Sequence, residues 1–237
     1  MFDCKPQTGP CPLNCNQCFY NRPGAFYVNP DEPHMPTVEE VDDGIMRVNS
    51  GHDSNVGHDE VVAATEKYPR RFFNTAIPKF DFPAPVVFTA NRQEEKPAWV
   101  PPEGFRPPDN LMYIRLRVSA TNLTHVAHAI YAWAFWGIPI VLTFMAYYDG
   151  EPPKNDGFAV GQAGGPLYEW KKRHINSYWC PTRGFMAAVL RHMKRLEVPP
   201  RLVTMCGTLD SNLCRDCGNC ETYYRQTVKH MQEIGAE

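Results

Sequence analysis

The sequence has little excess charge of either sign. Its 24 lysines and arginines nearly balance 26 aspartates and glutamates, which leaves a net charge of −2 at pH 7. So small a charge gives no overall attraction to nucleic acid or to an anionic membrane surface. The 237 residues, 43% of them hydrophobic, are enough for one good-sized core with a small appendage.

The amino terminus also lacks the features of an export signal. Its first residues carry neither a basic segment nor a following apolar segment, so we expect a cytoplasmic protein. Because thiols stay reduced in that compartment, the nine cysteines are expected to bind metal rather than to form disulfides. Seven of the nine fall into two tight groups, one towards each end of the chain.

A long stretch without Asp, Glu, Lys or Arg, residues 126–148, is long enough to span a bilayer. However, Gly137 and Pro139 interrupt it, and the composition changes there from alanine-rich to β-branched and aromatic. A buried helix followed by a buried parallel strand fits this pattern better than a membrane span. We therefore expect no membrane association.

The first cysteine group, Cys11, Cys15 and Cys18, has the spacing C-x3-C-x2-C. Thiolates are preferred ligands of iron–sulfur clusters and of zinc, and three in one loop can converge on one centre. A structural zinc site needs four ligands, whereas three thiolates on a four-iron cluster leave one iron open. The alternative is a zinc site that Cys4 or His34 completes.

This motif resembles that of the radical S-adenosylmethionine (radical SAM) superfamily. The resemblance implies that the three cysteines hold a [4Fe–4S] cluster whose open iron binds S-adenosyl-L-methionine. It implies an enzyme that cleaves this cofactor reductively and abstracts hydrogen from a small-molecule or peptide substrate. A reductant such as flavodoxin or ferredoxin is the implied partner. Gln17 departs from the pattern, since the family often has an aromatic residue there.

Strands alternate with helices or irregular crossovers, which predicts an α/β fold with a parallel sheet. The resemblance implies a partial (β/α)6 barrel over residues 1–205, and about six main strands are expected. After a brief first strand, these strands are predicted at residues 45–48, 85–89, 112–118, 138–147 and 201–205. Residues 72–75 are expected to be only a short extended piece, and residues 93–110 show no helical period.

Helices are predicted from caps, stops and hydrophobic spacing. Thr37 and Glu40 have the spacing of a capping box, so a short helix should begin at Thr37. Gly137 stops a later helix. The other helices are predicted at residues 59–67, 123–136, 182–196 and 221–234.

Polar residues follow the predicted strands, and barrels of this kind carry their chemistry at the carboxyl ends of the strands. In radical SAM enzymes a Gly-Gly-Glu after the second strand binds the amino group of the cofactor. Residues 49–53 lack it, but Ser50, Gly51 and Asp53 offer acceptors for an ammonium.

The resemblance also implies cofactor contacts from later strand ends. Residues 112–118 are taken as the fourth strand, whose end often contacts the ribose and carboxylate of the cofactor. The next strand end is expected near its adenine. The cofactor-binding residues implied in this way are Arg117, Ser119, Thr121, Asn122 and Tyr147.

Histidines offer a different metal site. The tripeptide Gly-His-Asp occurs at residues 51–53 and 57–59 and is compatible with a His/Asp metal site. Tight turns, with Asp59 as a helix N-cap, explain the repeat more simply. His125 and His128 share one helical face but lack a nearby carboxylate, which favours a structural role.

The second cysteine group supplies four thiols in a short segment: Cys206, Cys214, Cys217 and Cys220. Four ligands close a site, so this group predicts a second [4Fe–4S] cluster or a zinc ion. Residues 206–237 are therefore expected to form a cysteine-rich metal-binding extension that ends in a helix. The two remaining cysteines, Cys4 and Cys180, are expected to be buried structural thiols.

The alternative function is a non-enzymatic zinc or iron–sulfur module that acts in protein interaction. Such a module needs neither an open three-ligand site nor polar residues at the strand ends. The sequence has both features, which favours the enzyme.

Overall fold

A computed structural model describes residues 1–18, 20, 31–148, 150–152, 163–174, 177–211 and 214–235. Seven parallel strands form one sheet, in which they follow the order of the chain. A separate antiparallel pair comprises β7 and β8. The strands are β1 (Phe2–Cys4), β2 (Met46–Val48), β3 (Arg71–Thr75), β4 (Val86–Thr89), β5 (Leu111–Val118), β6 (Ile140–Phe144), β7 (Tyr168–Lys171), β8 (Tyr178–Pro181) and β9 (Val203–Met205).

The helices confirm most of the predictions. They are α1 (Val38–Val41), α2 (His58–Thr65), α3 (Leu123–Ala134), α4 (Arg183–Met193), α5 (Cys214–Cys217) and α6 (Asn219–Ile234). The capping box is present, because the Glu40 amide donates to Thr37 Oγ1 at 3.2 Å and the Thr37 amide donates to the Glu40 carboxylate at 2.8 Å. Gly137 follows α3 with a φ of 70°, which suits glycine. The N-cap of α2 is Gly57 rather than Asp59, which lies in the first turn.

The sheet has seven strands rather than six. The extra one is β3, which the sequence suggested to be a short extended piece; it pairs with both β2 and β4. Phe72 and Phe73 point to opposite faces and are both 0% exposed, so this strand carries no alternation of polar and apolar residues. Consequently β5 is the fifth strand of the sheet, and its assignment as the fourth strand was wrong.

Two crossovers, residues 76–85 and 90–110, contain no helix. Aromatic side chains cover the sheet there instead. The Trp99 ring lies 5.5 Å from that of Phe88 and 5.6 Å from that of Trp133 in α3. The Asn110 side-chain amide ties the two crossovers together by donating to the carbonyls of Phe80 and Phe82, each at 2.9 Å.

The sheet is covered on both faces. Side chains of α2, α3 and α4 join the larger core on one face. On the other face, Phe72, Val87 and Tyr113 pack with Tyr223 and Tyr224 of α6. The closing helix therefore shares a core with the strands.

The sequence reasoning missed the hairpin of β7 and β8. The backbone of Trp179 in β8 exchanges two hydrogen bonds with that of Tyr147, at 2.8 and 3.0 Å, which attaches the hairpin to the chain after β6. The uncharged run at residues 126–148 divides into the buried α3 and β6, as predicted. Across the described ranges, no helix has the length and apolar character that a membrane crossing requires.

Candidate functional site

A cavity of about 380 Å³ opens at the carboxyl ends of the parallel strands. Its size falls in the range of small-molecule sites, about 300–1,000 Å³. All seven strands, or the segments that follow them, contribute to its wall. The lining residues are Cys11, Leu13, Cys15, Gln17, Cys18, Arg47, Asn49, Ser50, Gly51, His52, Asp53, Asn74, Thr75, Ala76, Thr89, Arg115, Arg117, Thr143, Phe144, Met145, Ala146, Tyr148 and Cys206.

The cysteine loop consists of two successive turns. The Asn14 amide donates to the Cys11 carbonyl at 3.4 Å, and the Cys18 amide donates to the Cys15 carbonyl at 3.2 Å. Asn14 and Gln17 have φ values of 42° and 50°, in the left-handed region. Asparagine tolerates that region better than most residues, whereas Gln17 adopts it under tertiary constraint.

Three contacts fix this loop to the strand ends. The Arg117 guanidinium, on β5, donates to the Asn16 carbonyl between the second and third cysteines. The Gln17 side-chain oxygen accepts from the Tyr148 amide at 3.3 Å, beyond the end of β6. The Asn16 side chain donates to Glu95 at 3.3 Å. The thiols are therefore held over the sheet by contacts with two strand ends and one crossover.

Tyr20 joins the cysteine loop to the segment that follows β2. Its ring packs with Cys11, Leu13 and Cys18 and is 3% exposed. It also lies against Gly51, where an added Cβ would stand 2.7 Å from Tyr20 Cδ2. Glycine at position 51 is what permits this close approach.

Asp53 organises the segment after β2. One carboxylate oxygen accepts from the Asn55 amide and the Thr75 hydroxyl, each at 2.9 Å, and the other accepts from the Ala76 amide at 2.5 Å. Burial raises the pKa of Asp53, while these donors act in the opposite direction. Asp53 thus ties the end of β2 to the end of β3.

The environment of two of these thiols, Cys11 and Cys15, raises their pKa. Burial raises the pKa of Cys11 to about 11. Burial, followed by the neighbouring Cys18, raises the pKa of Cys15, while Arg117 acts to lower it. A bound metal favours the thiolate form, so metal uptake at this loop would release protons.

Three thiols in one loop are the type of donor that an iron–sulfur cluster would use. Nowhere in the described residues do three His, Cys, Asp or Glu side chains gather as ligands of one metal ion. Thiolates that hold a cluster bind different iron atoms and lie farther apart than ligands of one ion. Asn49 offers an unused acceptor at this cavity. It lines the cavity, is 1% exposed, and its side-chain oxygen accepts no hydrogen bond from the described residues, which suits an ammonium donor.

Four of the eight predicted cofactor-binding residues line the cavity. Ser50, Gly51, Asp53 and Arg117 line it, whereas the remaining four do not. The polar groups of these four residues form hydrogen bonds with other groups of the protein. The Asn122 side chain accepts from the Ser119 amide at 2.9 Å and donates to the Glu94 carbonyl at 3.0 Å. The Tyr147 hydroxyl donates to the Glu94 carboxylate at 2.8 Å. Thr121 is exposed.

The cavity floor contains residues that sequence reasoning missed. Thr89 and Arg115 are paired in register on β4 and β5, and Thr143 is paired with the predicted Arg117 in the next row towards the carboxyl ends. The available signal was the period of two along β5, which places residues 115 and 117 on one face.

The second cysteine group surrounds the start of α6. Cys206 lines the same cavity as the first group. The Cys217 thiol lies 3.9 Å from the Met205 carbonyl, and Cys220 Sγ lies 3.2 Å from the Tyr113 hydroxyl. The side chain of Cys214 lies outside the described part of the chain. A metal at this group stays a prediction.

The leftover cysteines and the histidines make structural contacts. Cys4 is 0% exposed in the larger core, and burial raises its pKa to about 12. Cys180 is half-buried in β8. His52 Nδ1 accepts from the Asp53 amide at 2.9 Å, and His58 lies 2.8 Å from Asp59. These contacts account for the repeated Gly-His-Asp without a metal.

A second, larger cavity of about 700 Å³ lies at the opposite edge of the sheet. It is formed by the amino ends of β5 and β6 together with α6 and contains no cysteine in its lining. Because parallel α/β sheets bind their ligands at the carboxyl ends of the strands, the smaller cavity is the candidate site.

Comparisons of the chain with protein-family models, with curated proteins and with solved structures found no match. The site is therefore interpreted from its own geometry and from the cysteine motif.

Proposed function

We propose that the chain is a radical SAM enzyme that acts on a small-molecule or peptide substrate. The observation that carries the proposal is the position of Cys11, Cys15 and Cys18. All three line a cavity at the carboxyl ends of seven parallel strands. The sequential order of these strands supports a partial barrel, and its terminal strands β1 and β9 are not paired with each other among the described residues.

In this proposal the three thiolates hold a [4Fe–4S] cluster, and the residues after β2 hold the amino end of S-adenosyl-L-methionine. When bound, this pair supplies the one-electron chemistry that abstracts hydrogen from a substrate. The Asn49 side-chain oxygen, which has no partner in the described chain, accepts from the cofactor ammonium. Arg117 and Gln17 keep the cysteine loop in place through Asn16 and Tyr148.

The remaining parts of the proposal follow from this chemistry. An electron donor such as flavodoxin or ferredoxin is needed as a partner. A reducing compartment such as the cytoplasm keeps the thiols available as ligands. The cysteines of residues 206–237 form an extension that holds a second [4Fe–4S] cluster or zinc.

The test is cofactor cleavage by anaerobically reconstituted protein. With dithionite and S-adenosyl-L-methionine, the wild type should release 5′-deoxyadenosine slowly even without substrate. Cys15→Ala should abolish the release because two thiolates cannot hold the open cluster. The matched control is Cys180→Ala, which removes a half-buried thiol outside the cavity and should keep the release. Protein that loads only zinc, or equal release by wild type and Cys15→Ala, would contradict the proposal and favour the non-enzymatic module.

A further inference from the structure

Three arginines line the candidate cavity, and two of them are fully engaged. Arg47 forms a paired contact with the Asp3 carboxylate, at 2.5 and 3.0 Å. Arg117 donates to the carbonyls of Asn16 and Arg92 and to the Met145 sulfur. The hydrogen bonds of these two guanidinium groups are therefore directed to other groups of the protein.

Arg115 differs from the other two arginines. Its Nη2 donates to the Asn74 side-chain oxygen at 3.0 Å and to the Tyr113 hydroxyl at 3.2 Å. Its Nε and Nη1 donate to no residue that the structure describes, and no carboxylate in that part of the chain pairs with it. Arg115 is half-buried, and its side chain faces the cavity. A partly buried cation without a carboxylate partner favours an anionic ligand.

The described lining of the cavity supplies no free carboxylate to pair with Arg115, and the other acidic groups that act on it are the Tyr113 hydroxyl and the thiols of Cys206 and Cys220. Among its lining residues the one carboxylate is Asp53, and both of its oxygens already accept hydrogen bonds from the protein. Thr143 lies on β6, diagonal to Arg115 across the sheet. Its hydroxyl is buried and has no hydrogen-bond partner in the described residues. A ligand in the cavity can provide the missing partner for both groups.

We infer that Arg115 and Thr143 form a subsite for an oxyanion, a carboxylate or phosphate group carried by the substrate. The subsite belongs to the floor of the cavity, in the rows of Thr89, Arg115 and Thr143, whereas the cysteine loop forms its rim. A guanidinium presents its donors in a planar fork that matches the oxygens of either anion. As a statement about substrate, this inference rests on the proposed function, but the anion site itself is testable without it.

The experiment uses the reconstituted protein under anaerobic conditions, with inorganic phosphate and succinate as the two probes. Binding is measured by calorimetry and by the rise of the unfolding temperature, at ionic strength held constant with chloride. A ligand that binds only the folded state raises that temperature as its concentration exceeds its Kd. Tighter binding of phosphate indicates a phosphorylated substrate, and tighter binding of succinate indicates a carboxylate.

Two variants and one control locate the binding. Arg115→Gln should raise the Kd of the preferred anion by about tenfold or more, because hydrogen bonds to a charged group are lost. Thr143→Val should raise it by about threefold. The valine variant removes a hydroxyl that has no partner, so it should fold at least as stably as the wild type. Arg201→Gln, at an exposed arginine outside the cavity, should leave the Kd unchanged.

Three results would overturn the inference. The first is that neither anion binds to the wild type, and the second is that all four proteins bind alike. The third is that Arg115→Gln weakens S-adenosyl-L-methionine as strongly as the anion, since Arg115 would then hold the cofactor carboxylate. The outcome is separable from that of the proposed function. If the anion binds through Arg115 but the protein releases no 5′-deoxyadenosine, the subsite is supported and the proposed enzyme is rejected. If the protein releases 5′-deoxyadenosine but binds no anion through Arg115, the enzyme is supported and the subsite is rejected.

Discussion

At the scale of single residues, the contact between Tyr20 and Gly51 couples the cysteine loop to the segment that follows β2. The ring of Tyr20 covers Cys11 and Cys18 on one side and occupies the space where a side chain at position 51 would begin. The cysteine loop therefore depends on a residue outside its own motif. This contact also explains why the segment after β2 needs a glycine although it lacks a Gly-Gly-Glu.

Gly51→Ala tests this contact. The added Cβ would stand 2.7 Å from Tyr20 Cδ2, so the ring must move and the cysteine loop with it. We expect a loss of about 1–3 kcal/mol in the free energy of unfolding and a lower iron content after reconstitution. Denaturant unfolding and iron analysis measure the two effects. Gly165→Ala is the matched control, because no atom lies within 4 Å of its added Cβ. Equal behaviour of the two variants would show that Tyr20 does not position the loop.

Glu94 is a buried carboxyl behind the cavity wall. It is 2% exposed, one oxygen accepts from the Tyr147 hydroxyl at 2.8 Å, and the other has no partner in the described residues. Burial raises the pKa of Glu94, although Tyr147 and Arg117 oppose the shift. As the pH rises from the ordinary pKa of glutamate to this raised value, the unfolded chain gives up its proton before the folded chain does. The free energy of unfolding therefore falls across that interval.

Glu94→Gln should remove this loss, since the amide cannot ionise and its oxygen still accepts from Tyr147. We expect the variant and the wild type to differ least near pH 4.5, and the variant to be the more stable protein at pH 8. Denaturant unfolding over this range gives the comparison. Glu103→Gln, at an exposed carboxyl in the same crossover, is the control and should leave the pH profile unchanged. If the free energy of unfolding of the wild type depends on pH in the same way as that of Glu94→Gln, the raised pKa assigned to Glu94 is wrong.

At the scale of elements, the crossover from β4 to β5 covers the sheet without a helix. Trp99 lies between Phe88 of β4 and Trp133 of α3, with ring separations of 5.5 and 5.6 Å. Its amide also donates to the Ala90 carbonyl at 2.8 Å. The irregular segment thus buries aromatic surface as a helix would.

Trp99→Ala should therefore destabilise the protein as a core substitution does. We expect a loss of about 3 kcal/mol in the free energy of unfolding, because a large ring is removed from between two others. Phe135→Ala is the control, since Phe135 is 82% exposed and its loss should change stability by at most about 0.5 kcal/mol. Thermal or denaturant unfolding of the two variants measures the change in the free energy of unfolding. A small effect of Trp99→Ala would mean that this crossover is dispensable for the fold.

The sequence predicted the elements whose signals are local. The capping box at Thr37, the glycine after α3 and the apolar strands β4 to β6 are found where they were expected. The sequence did not predict β3 as a sheet strand, because Phe72 and Phe73 are both buried and no alternation is present. The sequence also did not predict the hairpin of β7 and β8, because the segment between these two strands has no recognisable turn signal.

The candidate site was predictable to a similar extent. The cysteine motif and the segment after β2 lie at the cavity because loops at the carboxyl ends of parallel strands share one edge. The Asn122 side chain, by contrast, binds the backbone of the protein, because it accepts from the Ser119 amide and donates to the Arg117 carbonyl. Arg115 was missed because the groups around its guanidinium, such as Asn74 of β3 and Cys206 after β9, come from distant parts of the sequence.

At the scale of the whole molecule, the two cysteine groups come from opposite ends of the chain yet border one sheet. The first lies over the carboxyl ends of the strands. The second leads from β9 into α6, whose tyrosines fill the other face beneath the cavity. The Asn219 side chain donates to the Met205 carbonyl at 2.7 Å, which fastens the start of α6 to the end of β9. Metal bound at the second group would strengthen this junction.

Cys217→Ala tests whether the second group has that role. Removing one ligand should lower the metal content at the second group and the unfolding temperature, because ligation is coupled to folding. The cluster held by Cys11, Cys15 and Cys18 should remain, since the contacts that fix its loop come from Arg117 and Tyr148. Its reduced electron paramagnetic resonance spectrum should therefore still change when S-adenosyl-L-methionine is added. Cys15→Ala should show the reverse pattern, with the second metal retained and the spectral response lost. If Cys217→Ala erases the response while Cys15→Ala keeps it, the roles of the two groups are exchanged.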